Sequence, residues 1–205
     1  IALGTIFPLA LGPMLTFELP GRILLQGDLG WMPPAYAGAV AGMISSFGAD
    51  GNLLGPVVKD ALADSFVARV SFGWRPIPHY GFEISGGYTH IAVSGMATPS
   101  VVATVLSGDL ADKVETKLTE SMPVKATLHN FHVAIGWRWL AADDKLVIRF
   151  QAGYTQTVGS SSSIEVPEDA EIEKAVQGPF NSQLNTILTN DVKLPLFGLT
   201  MGYHI

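Results

Sequence analysis

At 205 residues the chain has the length of a single domain. It is 48% apolar with a net charge of −6 and no cysteine, which excludes a disulfide framework and a thiolate metal site. The acidic balance also argues against nucleic acid, a partner that asks for clustered Lys and Arg. No window approaches the roughly 20 continuous apolar residues that a membrane helix needs. The sequence opens at Ile1 without Met or signal-peptide features, so the expectation is a removed leader or a start part-way through a longer protein.

Taken in chain order, the apolar residues fall on one parity of successive strand-like runs. The first is Leu9/Leu11/Pro13/Leu15/Phe17, joined through Leu19-Pro20-Gly21 to Ile23/Leu25/Gly27/Leu29/Trp31. A long connection over residues 33–65 leads to Phe66/Ala68/Val70/Phe72/Trp74. The short Pro76-Ile77-Pro78-His79 link then opens Tyr80/Phe82/Ile84/Gly86/Tyr88. A second long connection, 97–127, precedes Phe131/Val133/Ile135/Trp137/Trp139, and the Ala141-Ala142-Asp143-Asp144 link precedes Leu146/Ile148/Phe150/Ala152/Tyr154. The third, 158–193, precedes Phe197/Leu199/Met201/Tyr203/Ile205.

A period of two sends alternate side chains to opposite faces of a sheet. The parity opposite the apolar one carries Glu18, Arg22, Asp28, Arg69, Arg75, Glu83, Arg138 and Arg149, set among glycines such as Gly73, Gly87, Gly136 and Gly153. Small and charged residues together suit a narrow interior, while large aliphatics and aromatics suit lipid. The expected fold is therefore an all-β membrane protein, an antiparallel transmembrane β-barrel forming one domain over 1–205. Aromatics near both strand ends, with Trp74, Trp137 and Trp139 by the short turns and Trp31, Tyr88 and Tyr154 by the long loops, predict two interfacial girdles.

The long connections carry apolar residues at helical spacing, so each is expected to hold one or two amphipathic helices. The sets are Leu53/Leu54/Val57/Val58/Ala61/Leu62, then Val101, Val105, Val114 and Leu118, then Ile172, Val176, Leu184 and Leu188. Turn, ascending strand, helical loop and descending strand recur about every 60 residues, which reads equally as a weak repeat or as hairpin-by-hairpin growth. An odd number of runs cannot close an antiparallel barrel. With eight strands expected, the missing one is placed upstream of Ile1, or in another segment or chain.

With this strand pattern and the C-terminal Phe197-x-Leu199-x-Met201-x-Tyr203-x-Ile205, the chain resembles the small outer-membrane β-barrels of Gram-negative bacteria, the outer-membrane protein A or X type. The resemblance is architectural and covers the strands, roughly half of the chain. It implies a cell outer-membrane location and recognition of the C-terminal run by the barrel-assembly machinery. That class usually ends in an aromatic where this chain has Ile205, and its loops are usually polar rather than helical and apolar.

Charges in so narrow a lumen must pair. Glu18 with Arg22 and Arg75 with Glu83 flank two of the turns, whereas Arg138 and Arg149 flank the third without an acid of their own, so Glu18 or Glu83 is expected to reach them. The network predicts a plugged lumen rather than a gated path. Catalysis has little support, and no cofactor is expected. His129 and His132 lie three apart, on opposite faces of a strand, and no nucleophile motif surrounds Ser94, Ser160 or Ser162. Gly159 with the serines that follow reads as a flexible linker.

The leading expectation is a non-enzymatic barrel whose loop helices can pack into a cap at one mouth. The stripes Val101, Val105, Val114, Leu118, Ile172, Val176, Leu184 and Leu188 are favoured as a surface that contacts lipid, a protein partner or a second copy of the chain. A narrow pore for a small or hydrophobic solute is the alternative. An outer-membrane lipid-modifying enzyme using Ser160 and His132 is the third.

Overall fold

A computed structural model gives the fold, described for all residues except 1, 8, 9, 48–64, 78, 79, 107, 108, 167–169, 204 and 205. The strands are β1 (Ala2–Phe7), β2 (Ala10–Leu19), β3 (Ile23–Trp31), β4 (Phe66–Ile77), β5 (Phe82–Ala97), β6 (Met122–Ala141), β7 (Leu146–Ile164) and β8 (Lys193–Tyr203). Helix α1 (Pro34–Phe47) follows β3. Helices α2 (Pro99–Val105) and α3 (Asp109–Lys117) follow β5, and α4 (Ala170–Asp191) follows β7. The strands pair antiparallel in sequence order and close into a barrel through β1 and β8. No helix among the described residues is long and apolar enough to cross a membrane.

The eighth strand corrects the sequence reading. It lies within the chain: Ala2–Phe7 pairs with β2 on one side and with Gly202–Phe197 of β8 on the other. This six-residue run was missed because Thr5 interrupts the parity of Leu3 and Phe7 while Ile6 puts an aliphatic residue on the other, so no parity is cleanly apolar. The first apolar helical set, Leu53 to Leu62, falls outside the described residues.

Parity sorts the side chains as the period of two requires. Large outward residues are exposed, Phe72 and Val133 each at 63%, while inward Arg75 is 2% exposed and inward Glu83 fully buried. Where neighbouring strands approach closely, only glycine fits. A Cβ on Gly87 would stand 2.1 Å from the Val70 carbonyl oxygen, and one on Gly153 2.1 Å from that of Val133.

Three strands outrun the others. Above the level of the Phe66–Ala92 pair, β5, β6 and β7 continue toward the helices, so Met122–Thr127 and Gly159–Ile164 are sheet, not loop or linker. In this extension the pairing steps from His129–Gly159 to Asn130–Thr157, leaving Val158 as an extra residue. Such a bulge reverses the alternation beyond it. Ser160, Ser162 and Ile164 therefore share the inner face with Leu128, Ala126 and Val124.

The interior has two layers. Near the short turns it is charged. Toward the loops it turns apolar, with Ile6, Val67, Ile91, Val93, Leu128, Leu194 and Leu196 all buried. That apolar layer is continuous with Val102, Val114, Leu118, Val176, Phe180, Leu184 and Leu188 of the helices, which cap the extended sheet. A seam of hydrogen bonds fixes α4 against β7: Ser160 donates to the Asn185 carbonyl at 3.0 Å and Ser162 to the Asn181 carbonyl at 3.3 Å. Helix α1 is tied to β1, where the Tyr36 hydroxyl bonds Thr5 and its ring packs edge-on against Phe7 at 5.2 Å.

Candidate functional site

The charged layer is assembled by register. Asp28 and Arg69 are direct partners across β3 and β4, and the Arg69 Nε donates to Asp28 at 2.9 Å. Glu18 closes β2 and Glu83 opens β5, so both carboxylates sit near the turn end. Arg138 and Arg149 are direct partners across β6 and β7, both pointing inward.

The contacts form one chain of alternating charge. Arg138 reaches Glu18 at 3.3 Å, Glu18 accepts from Arg75 at 2.7 Å, Arg75 faces Glu83 at 3.6 Å, and Glu83 faces Arg149 at 2.9 Å. Gln151 connects it to the Asp28–Arg69 pair, donating to Glu83 and accepting from Arg69, each at 3.3 Å. Arg149 also donates to the Thr16 hydroxyl at 3.2 Å. Glu18 and Glu83 are thus each shared by two guanidiniums, which is how the β6–β7 arginines acquire counter-ions that their own turn does not offer. Gln151 and Thr16 were not singled out from the sequence, although both lie on the inward parity that marks the charges.

Arg22 is a correction. It occupies the β2–β3 turn at a left-handed φ of 66° and is exposed, its guanidinium donating to the Pro76 carbonyl at 3.1 Å outside the lumen. Gly21 takes the left-handed turn position before it, at φ 82°, which carries the side chain of Arg22 off the inward register.

A second polar group lies deeper. His132 is buried, with one ring nitrogen 2.9 Å from the Ser71 hydroxyl and the other 3.2 Å from that of Thr89. Ser160 is in a different place, bonded to Asn185 and Thr189 of α4, so the pairing of Ser160 with His132 is not formed. His90 and His129 are cross-strand neighbours on the outer face, their rings 5.5 Å apart, and Tyr88 bonds His129. His79 and His204 lie outside the described residues. Among the described residues no group of three or more His, Cys, Asp or Glu could hold a metal ion.

Of the two placements open to the loop stripes, cap and contact surface, the described residues take the cap. Val114, Leu118, Val176, Leu184 and Leu188 are buried inside the cap, and Val101 packs against it half-buried. The side chains of Val105 and Ile172 lie outside the described residues. An apolar helical face finds the apolar extension of β5–β7 before it finds a partner, because that surface is in the same chain. On α3 the cap presents a polar side outward: Asp112, Lys113, Glu115 and Lys117 are exposed.

A cavity of about 440 Å³ opens at the turn end of the lumen, lined by Thr16, Glu18, Arg75, Arg138, Arg149 and Thr200 among others. Farther in, the side chains of Gln26 and Asn130 are fully buried. Fold and interior together define an eight-stranded antiparallel barrel with an ion-paired core and a helical cap at one end. Comparison with protein-family models and with curated proteins finds no match.

Proposed function

We propose that the chain is a non-enzymatic β-barrel spanning the outer membrane of a Gram-negative cell, with a lumen closed by ion pairs and helical loops that seal its outer mouth. The observation that carries this reading is the inversion of polarity between wall and interior. A soluble protein does not keep a ring of Phe, Trp, Leu and Val exposed while it buries the guanidiniums of Arg69, Arg75 and Arg149 with Asp28 and Glu83. Lipid supplies the outer face with an apolar solvent, and antiparallel closure leaves no strand edge unpaired in it.

The height of the apolar zone agrees. On β6 the outward residues Phe131, Val133, Ile135, Trp137 and Trp139 cover residues 131–139, close to the 9–11 residues of a tilted spanning strand. Beyond His129 the outer face of the extension changes to Thr127, Lys125, Ser161 and Ser163, and Lys125 pairs with Glu165 at 3.2 Å in the open. That boundary suits a water interface, which would put the cap in the external medium and the short turns in the periplasm.

A closed lumen is supported by Arg69, Gln151, Glu83 and Arg149, which fill the section above the turn-end cavity with buried side chains. A non-enzymatic role is supported by the burial of both Ser71 and His132 within the wall's interior. A protein partner, on this reading, meets the polar outer face of the cap rather than its apolar stripes. Reconstitution into planar bilayers tests the whole: protease-protected strands with no steady conductance are expected, and a sustained open channel overturns the closed-lumen assignment.

A further inference from the structure

The chain of alternating charge begins and ends in arginine. Three guanidiniums, those of Arg75, Arg138 and Arg149, line the turn-end cavity against Glu18 in its wall and Glu83 behind it, a surplus of one positive charge among the described residues of this layer. The two terminal arginines are direct cross-strand partners on the same face. Like charges placed opposite each other repel, and in a confined lumen water screens them poorly. Glu18 reaches one of them and Glu83 the other, but each is also held by Arg75.

We propose that this cavity is an oxyanion site, in which a phosphate-type group sits between Arg138 and Arg149 and closes the open chain of charges into a ring. Guanidinium forks match the oxygens of such a group in pairs, which chloride cannot exploit. The Thr16 and Thr200 side chains in the lining offer hydroxyl donors beside it. At about 440 Å³ the cavity is of the size that holds a small ligand with some water. The group can arrive as free phosphate or as the head of a phospholipid, because the cavity opens at the turn end of the barrel. The site needs only the arginines and the cavity, and it holds whether or not the barrel spans a bilayer.

Thermal unfolding of the full chain in neutral detergent provides the test, with inorganic phosphate titrated at constant ionic strength against chloride. A saturable rise in Tm with phosphate alone is expected, since a ligand bound only to the folded state stabilises it by mass action. Arg138→Gln, at the more exposed end of the chain, should weaken that response about tenfold or more, equivalent to losing one charge-assisted contact. Val147→Glu guards against a simple folding defect. Val147 lines the same cavity two residues from Arg149, so a carboxylate there supplies the missing anion internally. That variant should be more stable than the parent without phosphate and should no longer respond to it. Repeating the titration in phosphatidylcholine nanodiscs with and without phosphatidate separates the sources: stabilisation by phosphatidate alone assigns the lipid head, and stabilisation by free phosphate assigns the soluble ion. Equal responses to phosphate and chloride in the parent, with no effect of phosphatidate, overturn the proposal. So does an unchanged phosphate response in both variants.

Discussion

Glu83 stands between Arg149 at 2.9 Å and Arg75 at 3.6 Å, and its side chain has no exposure to solvent. One carboxylate therefore compensates two guanidiniums carried by strands on either side of it. Glu83→Gln leaves both without it, and removing one member of a buried pair costs roughly 3–5 kcal/mol. The denaturation midpoint should fall accordingly. Adding Arg149→Gln should restore only part of the loss, since Arg75 still faces a neutral amide. Full recovery in the double variant would show that Arg75 does not depend on Glu83.

The outer face offers a comparison within one strand. Val133 and Thr127 share the outward parity of β6, but Val133 lies within the apolar zone and Thr127 above it. An arginine at a lipid-facing midplane position costs about 2–4 kcal/mol and little near the interface. Val133→Arg should block folding into phosphatidylcholine vesicles, seen as loss of the heat-modifiable gel band, while Thr127→Arg should fold. Equal tolerance of both would remove the membrane assignment.

The cap should loosen independently of the wall. Leu118 is buried among the helices, and truncating a buried leucine costs about 2–5 kcal/mol. Leu118→Ala should accelerate amide exchange in α2, α3 and α4 and leave the lower parts of β2, β3 and β4 protected. The oligomeric mass in mild detergent should not change, because Leu118 faces the protein's own interior. Release of a bound subunit or lipid by this substitution would return the apolar stripe to a contact role.

The bulge at Val158 makes a sharper prediction. Deleting Val158 removes the extra residue and lets Gly159 meet His129 directly after the Thr157–Asn130 pair, so strict alternation returns with Ser160, Ser162 and Ile164 still on the inner face. The Ser160 and Ser162 bonds to α4 and the burial of Ile164 would be kept. Protease should leave the deletion variant as intact as the parent, and cutting within residues 165–192 of the variant alone would show that this pairing is not retained.

The arrangement of wall and interior was legible in the sequence because a strand has only two faces. Once Phe72 and Arg75, or Ile148 and Arg149, fall on opposite parities, a single closed sheet sorts them without further information. The same rule found the lumen charges but could not pair them. Arg138 is joined to Glu18 across 120 positions of chain, a contact fixed by barrel closure rather than by any local spacing.

Three features belonged to the tertiary structure alone. The first strand, Ala2–Phe7, is too short and too mixed in polarity to declare itself and is defined by its pairing with β2 and β8 on either side. The serine run after Gly159 has the composition of a linker, yet it is strand because β6 extends beside it and α4 covers it. The helical stripes showed that an apolar face must be buried, but periodicity names the face and never its partner. That partner proved to be the extended β5–β7 sheet, since the nearest apolar surface in the same chain is reached without the entropy cost of bringing in another molecule.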